Sequence, residues 1–342
     1  MVSIKDIAKQ AGMSPSTVSR VVNGKKNVNS AKRKEILTLI EKNGYVPNNA
    51  ARSMVLKRSF TVGIILADTF NMFQRQLFSF IERRLGSFGY NTHFFFVKFE
   101  ENSEEECLAK LKGEKLDGVI MIHEVQNPSF YESVKKLQLP LITSTFNRAG
   151  FPSIHVNEED AAYEAVRHLV NLGHRKLKMI SSKGLSCGGQ RAEGFFRALE
   201  EAGIRRTPEE QTVFVHQYTA EFGMYGMKEL LLRDRDFSAV FAATDELAIG
   251  AMRILKDEGL RIPEDVSVVG FDDIDISSYF MPRLTTISQP LLEIGERTAQ
   301  ILHKYISGEQ EDVMDITLPH KLIIRESTCA PPRSIEDIRK ST

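Results

Sequence analysis

From Phe60 onward, short apolar runs alternate with amphipathic segments, and this alternation restricts the fold more than any other feature of the 342-residue chain. Alternating strands and helices predict α/β architecture, with parallel sheets that helices cover on both faces. There are more units than one modest sheet holds, so we expect two similar lobes. Ligands in such open sheets bind beyond the carboxyl ends of the strands, so a cleft between the lobes is the expected ligand site.

The periodicity also places the individual elements of these lobes. The predicted strands are 62–66, 93–97, 118–122, 141–143, 178–181, 213–215, 239–242 and 267–271. The predicted helices cover about 74–88, 103–113, 128–137, 160–172, 190–202, 221–232, 245–258 and 291–306. We expect a loose tail after Pro331.

The amino-terminal segment instead reads as a helix-turn-helix. Ser3 and Asp6 have capping-box spacing, and Gly12 can end the first helix at positive φ. Ser14 is a second cap, and Pro15 stands at the first helical position, where its missing N–H costs nothing. The second helix is expected to bury Val18, Val21 and Val22 and to expose Pro15, Ser16, Thr17, Ser19 and Arg20. A third helix is expected over about 30–43.

An outward face of small polar residues and one arginine suits the major groove of DNA, although an ordinary helical hairpin has a similar pattern. The charge distribution favours DNA. Residues 1–58 hold twelve Lys and Arg against three Asp and Glu, whereas the whole chain holds 45 of each sign. A basic end on an acidic body is typical of a polyanion-binding head.

Other features narrow the class of protein. No apolar run reaches the roughly 20 residues that span a bilayer, and the amino terminus is not a signal peptide. Cys107, Cys187 and Cys329 form no CxxC pair, which is consistent with reduced cysteines in the cytoplasm. We find no phosphate loop (the pair Gly188 and Gly189 is too sparse) and no histidines at metal spacing. We therefore expect no cofactor, no metal and no membrane.

Six stretches carry a family resemblance: 4–12, 16–24, 44–48, 172–175, 244–251 and 262–273. Over about residues 2–328 the chain resembles the LacI/GalR family of bacterial regulators. The resemblance implies a helix-turn-helix domain (1–46), a hinge helix and linker (47–59), a two-lobed periplasmic-binding-protein-like core (60–328) and a tail (329–342). It also implies a homodimer on operator DNA and a small-molecule effector, usually a sugar or nucleobase.

The resemblance also implies site residues. The implied DNA contacts are Lys5, Ser14, Pro15, Ser16, Thr17, Ser19, Arg20, Asn23, Asn48, Ala51, Arg52 and Met54. Met54 stands where the family usually wedges a leucine into the minor groove. The implied effector contacts are Phe73, Arg191, Tyr218, Thr244 and Asp272. Thr244 replaces an asparagine that is common in the family.

The residues alone leave alternatives at this cleft. Arg191 has the pattern of a surface salt-bridge partner near a helix start, and Asp272 that of a turn or capping carboxylate. Aromatic side chains after a strand are often core residues. As effector ligands, Arg191 and Asp272 are expected at strand ends, facing a water-filled cleft rather than lying in the core.

Three functions remain to be compared. The favoured one is a transcriptional repressor controlled by a small molecule, most simply a sugar. A regulator driven by a phosphorylated protein corepressor, as in the catabolite-control branch, is the alternative, suggested by residues 27–29 and 318–320. A sugar-modifying enzyme with a fused headpiece would need a nucleophile–base pair, a metal cluster or a phosphate loop, and no such motif is present.

Overall fold

The computed structural model describes residues 2–22, 28–44, 58–69, 71–98, 103–182, 186–204, 207–309 and 312–332. The chain divides into two compact units, residues 1–60 and 61–342. The predicted hinge, 47–59, lies almost entirely outside the described residues, as does the tail after residue 332.

The first unit contains three helices, α1 (Ile4–Gln10), α2 (Pro15–Val22) and α3 (Ser30–Lys42). Ser3 and Asp6 form the predicted capping box, and Gly12 has a φ of 60° where the chain turns into α2. One residue from each helix is fully buried, Ile7, Val18 and Ile36, so the three helices share a small core. The amides of Gln10 and Asn43 exchange two hydrogen bonds that tie the ends of α1 and α3 together.

The second unit contains two six-stranded sheets, which confirms the predicted two-lobed α/β architecture. Its strands are β1 (Thr61–Ala67), β2 (Asn91–Val97), β3 (Gly118–Met121), β4 (Leu141–Ser144), β5 (Ser153–Val156), β6 (Leu177–Ser182), β7 (Thr212–Val215), β8 (Ala239–Ala242), β9 (Ser267–Asp272), β10 (Thr285–Ser288), β11 (Asp315–Leu318) and β12 (Lys321–Ile323). The first sheet has the order β11-β5-β4-β3-β1-β2 and the second β12-β10-β9-β8-β6-β7. In the first, β1 pairs in parallel with β2 and β3, with Ile64 opposite Phe94 and Ile120.

The helices of this unit cover the two sheets. They are α4 (Met72–Ser87), α5 (Ser103–Gly113), α6 (Pro128–Lys135), α7 (Glu158–Asn171), α8 (Ser186–Glu201), α9 (Pro208–Gln211), α10 (Ala220–Arg233), α11 (Asp245–Asp257) and α12 (Leu291–Ser307). A 3₁₀ turn follows β9 at Asp275–Ser278. None of the helices in these ranges combines the length and hydropathy of a bilayer span.

The chain crosses between the lobes three times. It leaves the first lobe between β5 and α7, returns between β10 and α12, and leaves again between β11 and β12. All the strands predicted from the sequence are present, but β5, β10, β11 and β12 were not predicted. These four are short and rich in Ser, Thr, Asp, His or Lys, so they lack the apolar runs that mark the other strands.

Several helices begin earlier than predicted because their caps were not recognised. Asn71 accepts a hydrogen bond from the Gln74 amide and starts α4 at Met72, and Asn157 does the same for Asp160 in α7. An asparagine side chain can satisfy one of the free N–H groups in the first turn, so each helix extends back to its cap.

Candidate functional site

The exposed end of α2 presents a cluster of hydroxyl groups. Ser14 Oγ accepts a hydrogen bond from the Thr17 amide at 3.2 Å, as an N-cap does. The same oxygen lies 2.8 Å from Ser16 Oγ and 2.9 Å from Thr17 Oγ1. Because the amide groups of a helix amino terminus attract anions, this end of α2 is suited to a backbone phosphate.

The other predicted DNA contacts in this unit lie at the surface. Lys5, Pro15, Ser16 and Arg20 are exposed, whereas Thr17 and Ser19 are partly buried. Val18 and Val21, which lie on the opposite side of α2, are buried. The remaining predicted contacts, Asn23, Asn48, Ala51, Arg52 and Met54, lie outside the described residues.

The five predicted effector contacts lie on one cavity between the two lobes of the second unit. This space, open mouth included, measures about 690 Å³. The lobes come from distant parts of the chain, yet they bring together Phe73, Arg191, Tyr218, Thr244 and Asp272. The cavity is also lined by Ala67, Thr69, Asn71, Gln74, Ile122, His123, Glu124, Thr145, Phe146, Glu158 and Cys187.

Arg191 is the centre of a buried charge network on this cavity. Its Nε donates to Glu158 Oε2 at 2.6 Å, and its Nη1 donates to the carbonyl oxygen of Ala243. Its Nη2 is 3.6 Å from Asp272 Oδ1. Burial opposes the charged guanidinium, but the carboxylates of Glu158 and Asp272 outweigh it and raise the pKa of Arg191.

The aromatic ring of Phe271 lies against the same guanidinium, whose carbon is 3.7 Å from the ring centre. Arg191, Glu158 and Asp272 are only 4%, 4% and 5% exposed. The expectation that Arg191 and Asp272 simply face a water-filled cleft is therefore wrong, because both groups are buried within the protein. Arg191 lies in the second turn of α8 and is not a surface salt-bridge residue.

Asp272 ends β9 in an unusual backbone conformation. Its φ is 119° and that of Asp273 is 55°, values that a residue with a side chain adopts only when its surroundings enforce them. Arg325 Nη2 donates to Asp273 Oδ1 at 2.5 Å, and Gln289 Nε2 donates to Asp272 Oδ1 at 2.8 Å. Burial raises the pKa of Asp272 well above its usual value, although Arg191 opposes this shift.

Two further predicted contacts have structural partners as well. Thr244 Oγ1 accepts a hydrogen bond from the Leu247 amide at 3.2 Å. This hydroxyl therefore stabilises the amino terminus of α11 as its N-cap. Tyr218 Oη is 4.0 Å from Cys187 Sγ, and burial raises the pKa of Tyr218 well above 10.0. Burial also raises the pKa of the Cys187 thiol to about 12, which removes thiolate reactivity at neutral pH.

Sequence reasoning missed several lining residues, among them Glu158, Gln74 and His123. Glu158 follows the unpredicted strand β5 and opens α7, so its position became visible only in three dimensions. The Asn157–Asp160 cap was the available signal. His123 is uncharged at neutral pH because burial lowers its pKa to about 4.

A direct hydrogen bond also joins the two lobes beside this cavity. The Met72 amide, at the start of α4, donates to Glu246 Oε1 of α11 at 3.0 Å. Burial raises the pKa of Glu246, while this hydrogen bond and Arg75 favour its charged form. We call this contact the Glu246 latch, because it holds the amino-terminal ends of two helices from different lobes together.

Comparisons with known proteins agree with this architecture. Residues 3–48 match the family described as bacterial regulatory proteins, lacI family, and residues 166–328 match a periplasmic binding protein-like domain. Catabolite control protein A of Priestia megaterium is 33% identical over 332 residues, which cover 96% of this chain and 99% of that protein.

Solved structures give the same result. The Lac repressor dimer bound to operator and the anti-inducer ONPF is 26% identical, with a TM-score of 0.80 over 96% of this chain and 99% of that one. A regulator from Enterococcus faecium with bound ribose is 30% identical, with a TM-score of 0.71 over 79% of this chain and 99% of that one. The resemblance stated from the sequence is thus confirmed: the chain belongs to the lacI family of bacterial regulatory proteins.

Proposed function

We propose that this protein is a dimeric transcriptional repressor whose affinity for operator DNA is set by a sugar bound between the two lobes. The observation that carries the proposal is the cavity itself, which is lined by all five residues that the family resemblance implied as effector contacts. A guanidinium and a carboxylate that are fixed by buried partners can orient a polyol by hydrogen bonds. The related structures with ribose and with operator and anti-inducer support this assignment.

In this proposal the first unit binds the operator. Arg20 reads base edges in the major groove, and the hydroxyls of Ser14, Ser16 and Thr17 bind phosphate at the amino terminus of α2. Lys5 and Ser19 also contact the DNA from this surface, and Pro15 packs against the major groove. We propose that Asn23 adds a base or phosphate contact and that Met54 wedges into the minor groove beside Asn48, Ala51 and Arg52.

The effector acts by changing the balance between lobe arrangements. A ligand that binds one arrangement more tightly shifts the population toward it, and the energetic coupling to DNA is reciprocal. The Glu246 latch fits this mechanism, because it is a polar contact between the lobes that we expect a closed cleft to keep and an open cleft to break. We propose the domain limits 1–46, 47–59, 60–328 and 329–342 and action in the cytoplasm, where operator DNA is found.

We propose no catalysis for this chain, and its relatives are regulators. In the described ranges, no group of three or more His, Cys, Asp or Glu side chains is placed to hold a metal ion. Burial raises the pKa of the Cys187 thiol and lowers that of His123, which also lines the cavity, so neither pKa favours an activated nucleophile at neutral pH.

The second candidate is a regulator that a phosphorylated protein corepressor controls. The 33% identity to catabolite control protein A favours it. The two candidates differ in the partner that changes operator binding. A phosphorylated carrier protein should strengthen operator binding in the second case and have no effect in the first.

The test measures operator affinity by gel shift at fixed salt, with and without each partner. The operator is first selected from random duplexes by the full-length protein. A sugar that changes this affinity, and that also raises the thermal midpoint of the protein, supports the proposal. If no sugar changes either quantity while a phosphorylated carrier protein does, the second candidate replaces the first.

A further inference from the structure

Much of the donor capacity of Arg191 on the cavity is already used within the protein. Of the Arg191 donors, Nε is bonded to Glu158 and Nη1 to the Ala243 carbonyl, while Nη2 points toward Asp272 at 3.6 Å. The Thr244 hydroxyl is close to the Leu247 amide that it caps. Each guanidinium nitrogen of Arg191 therefore has one protein oxygen as a partner, and only the second N–H groups of Nη1 and Nη2 remain for a ligand.

The charges of the lining have an acidic surplus. The described residues that line the cavity include one arginine, Arg191, and three carboxylates, those of Glu124, Glu158 and Asp272. His123 adds no positive charge at neutral pH because burial lowers its pKa to about 4. Even with Asp272 protonated, which burial favours, the lining holds two carboxylates and one guanidinium.

Gln74 supplies an independent observation. It lies in the first turn of α4, lines the cavity and is only 7% exposed. Its Oε1 atom is buried and has no hydrogen-bond partner within the described ranges. A buried acceptor without a donor is costly, so a site that contains one is suited to a ligand that brings the donor.

We propose that the cavity takes an unphosphorylated, hydroxyl-rich ligand, neutral or amine-bearing, that donates a hydrogen bond to Gln74 Oε1, and that it rejects phosphorylated and carboxylated sugars. The inference rests on the proposed function and names the chemical class of its effector. A phosphate group is negatively charged, so the carboxylates that line the cavity would repel it. It also presents mainly acceptors, so it offers no donor to the Gln74 Oε1 atom.

The first experiment compares matched pairs of ligands on the full-length protein. Calorimetry and thermal shift are measured with ribose and ribose 5-phosphate, glucose and glucose 6-phosphate, galactose and galacturonate, and glucosamine. For any sugar that binds, we expect its phosphorylated or carboxylated partner to bind at least about tenfold more weakly. Equal or tighter binding of the anionic partner overturns the inference and leaves the proposed function intact.

The second experiment tests Gln74 with a matched control. Gln74→Leu removes the acceptor, and we expect the sugar that binds to lose about 5- to 150-fold in affinity. Gln76→Leu makes the same change two residues along α4, at a side chain whose Oε1 is also unpartnered but does not line the cavity. Equal effects of the two variants contradict the role of Gln74.

A third variant tests the charge. Glu124→Lys reverses one charge of the lining, so it should raise the affinity for the phosphorylated sugar relative to its neutral partner. An unchanged ratio contradicts the electrostatic argument. If no ligand of the panel binds and none alters operator binding, the proposed function fails together with the inference.

Discussion

The face of α2 and the cavity between the lobes are built in opposite ways. The α2 face is exposed, rests on a three-helix core and presents hydroxyls and a cation to the solvent. In the cavity, Arg191 is the one described cation, and it is more than nine-tenths buried together with Glu158 and Asp272. Arg191 forms ion pairs with both carboxylates. A change on the exposed face should therefore affect binding alone, whereas a change in the cavity should affect both binding and folding.

The largest expected effect is on the stability of the core. Arg191→Ala leaves the Glu158 carboxylate buried without its main partner, which should lower the unfolding free energy by about 3–5 kcal/mol. Urea unfolding followed by near-UV circular dichroism measures this loss. Arg253→Ala is the control, because it breaks an exposed ion pair with Asp257 and should cost less than about 1 kcal/mol. Similar losses in both variants would show that the buried ion pairs of Arg191 stabilise the fold no more than an exposed ion pair does.

The pH dependence of stability should differ between the core of the second lobe, which contains Asp245, and the first unit, which contains Asp6. Burial raises the pKa of Asp245 from 3.8 to about 7, although Ile274, Ser277 and Thr286 donate hydrogen bonds to it. The folded core thus holds a proton that the unfolded chain loses. The protonated Asp245 therefore adds on the order of 4 kcal/mol to the free energy of unfolding below about pH 4. This stabilisation is lost as the pH rises through about 7.

Asp6 in the first unit should behave in the opposite way. Its hydrogen bonds with Ser3 lower its pKa below 3.8, so its contribution is present at neutral pH and is lost only on strong acidification. Unfolding of the full-length protein at pH 5 and pH 8 checks the sign for the core. Asp245→Asn should flatten the difference between these two pH values, and a wild-type core that is more stable at pH 8 than at pH 5 contradicts the assignment.

A smaller effect is expected on the exposed face. Arg20→Ala should weaken operator binding by about 1–3 kcal/mol and relax base preference, with no change in the thermal midpoint of the protein. Lys5→Ala should weaken all duplexes about equally, because a phosphate contact carries no sequence information. Gel-shift titration on operator and random DNA compares the two variants. Operator binding by Arg20→Ala that equals the wild type would remove this residue from the interface.

The smallest effect is expected at the Glu246 latch. Glu246→Ala removes the acceptor of the Met72 amide, so it should cost the closed arrangement about 0.5–1.5 kcal/mol and weaken effector binding by about 2- to 12-fold. Glu246→Gln keeps an acceptor at that position and should remain close to wild type. Calorimetry with the identified sugar checks both variants, and tighter binding by Glu246→Ala would mean that the effector prefers a more open cleft.

The sequence predicted the α/β architecture and the caps of α1 and α2 because these depend on local patterns. It failed at β5, β10, β11 and β12, since these short strands carry polar side chains and their extended form depends on pairing with distant strands. The same limitation affected the cavity. The family resemblance supplied Arg191 and Asp272, but no local signal showed that Glu158 lies beside Arg191 or that the Gln74 oxygen has no partner, because both facts depend on the approach of distant segments.

The three crossings between the lobes have a consequence for synthesis on the ribosome. The first lobe lacks its last strand, β11, until residue 318 has been made, and β12 follows immediately in the second lobe. The contacts within α1, α2 and α3 are all complete after residue 44. Because domains fold as they emerge, at about 5–20 residues per second, we expect the DNA-binding unit to be folded many seconds before the cavity closes. A ribosome-bound chain would thus acquire its DNA-binding surface before it can sense a ligand.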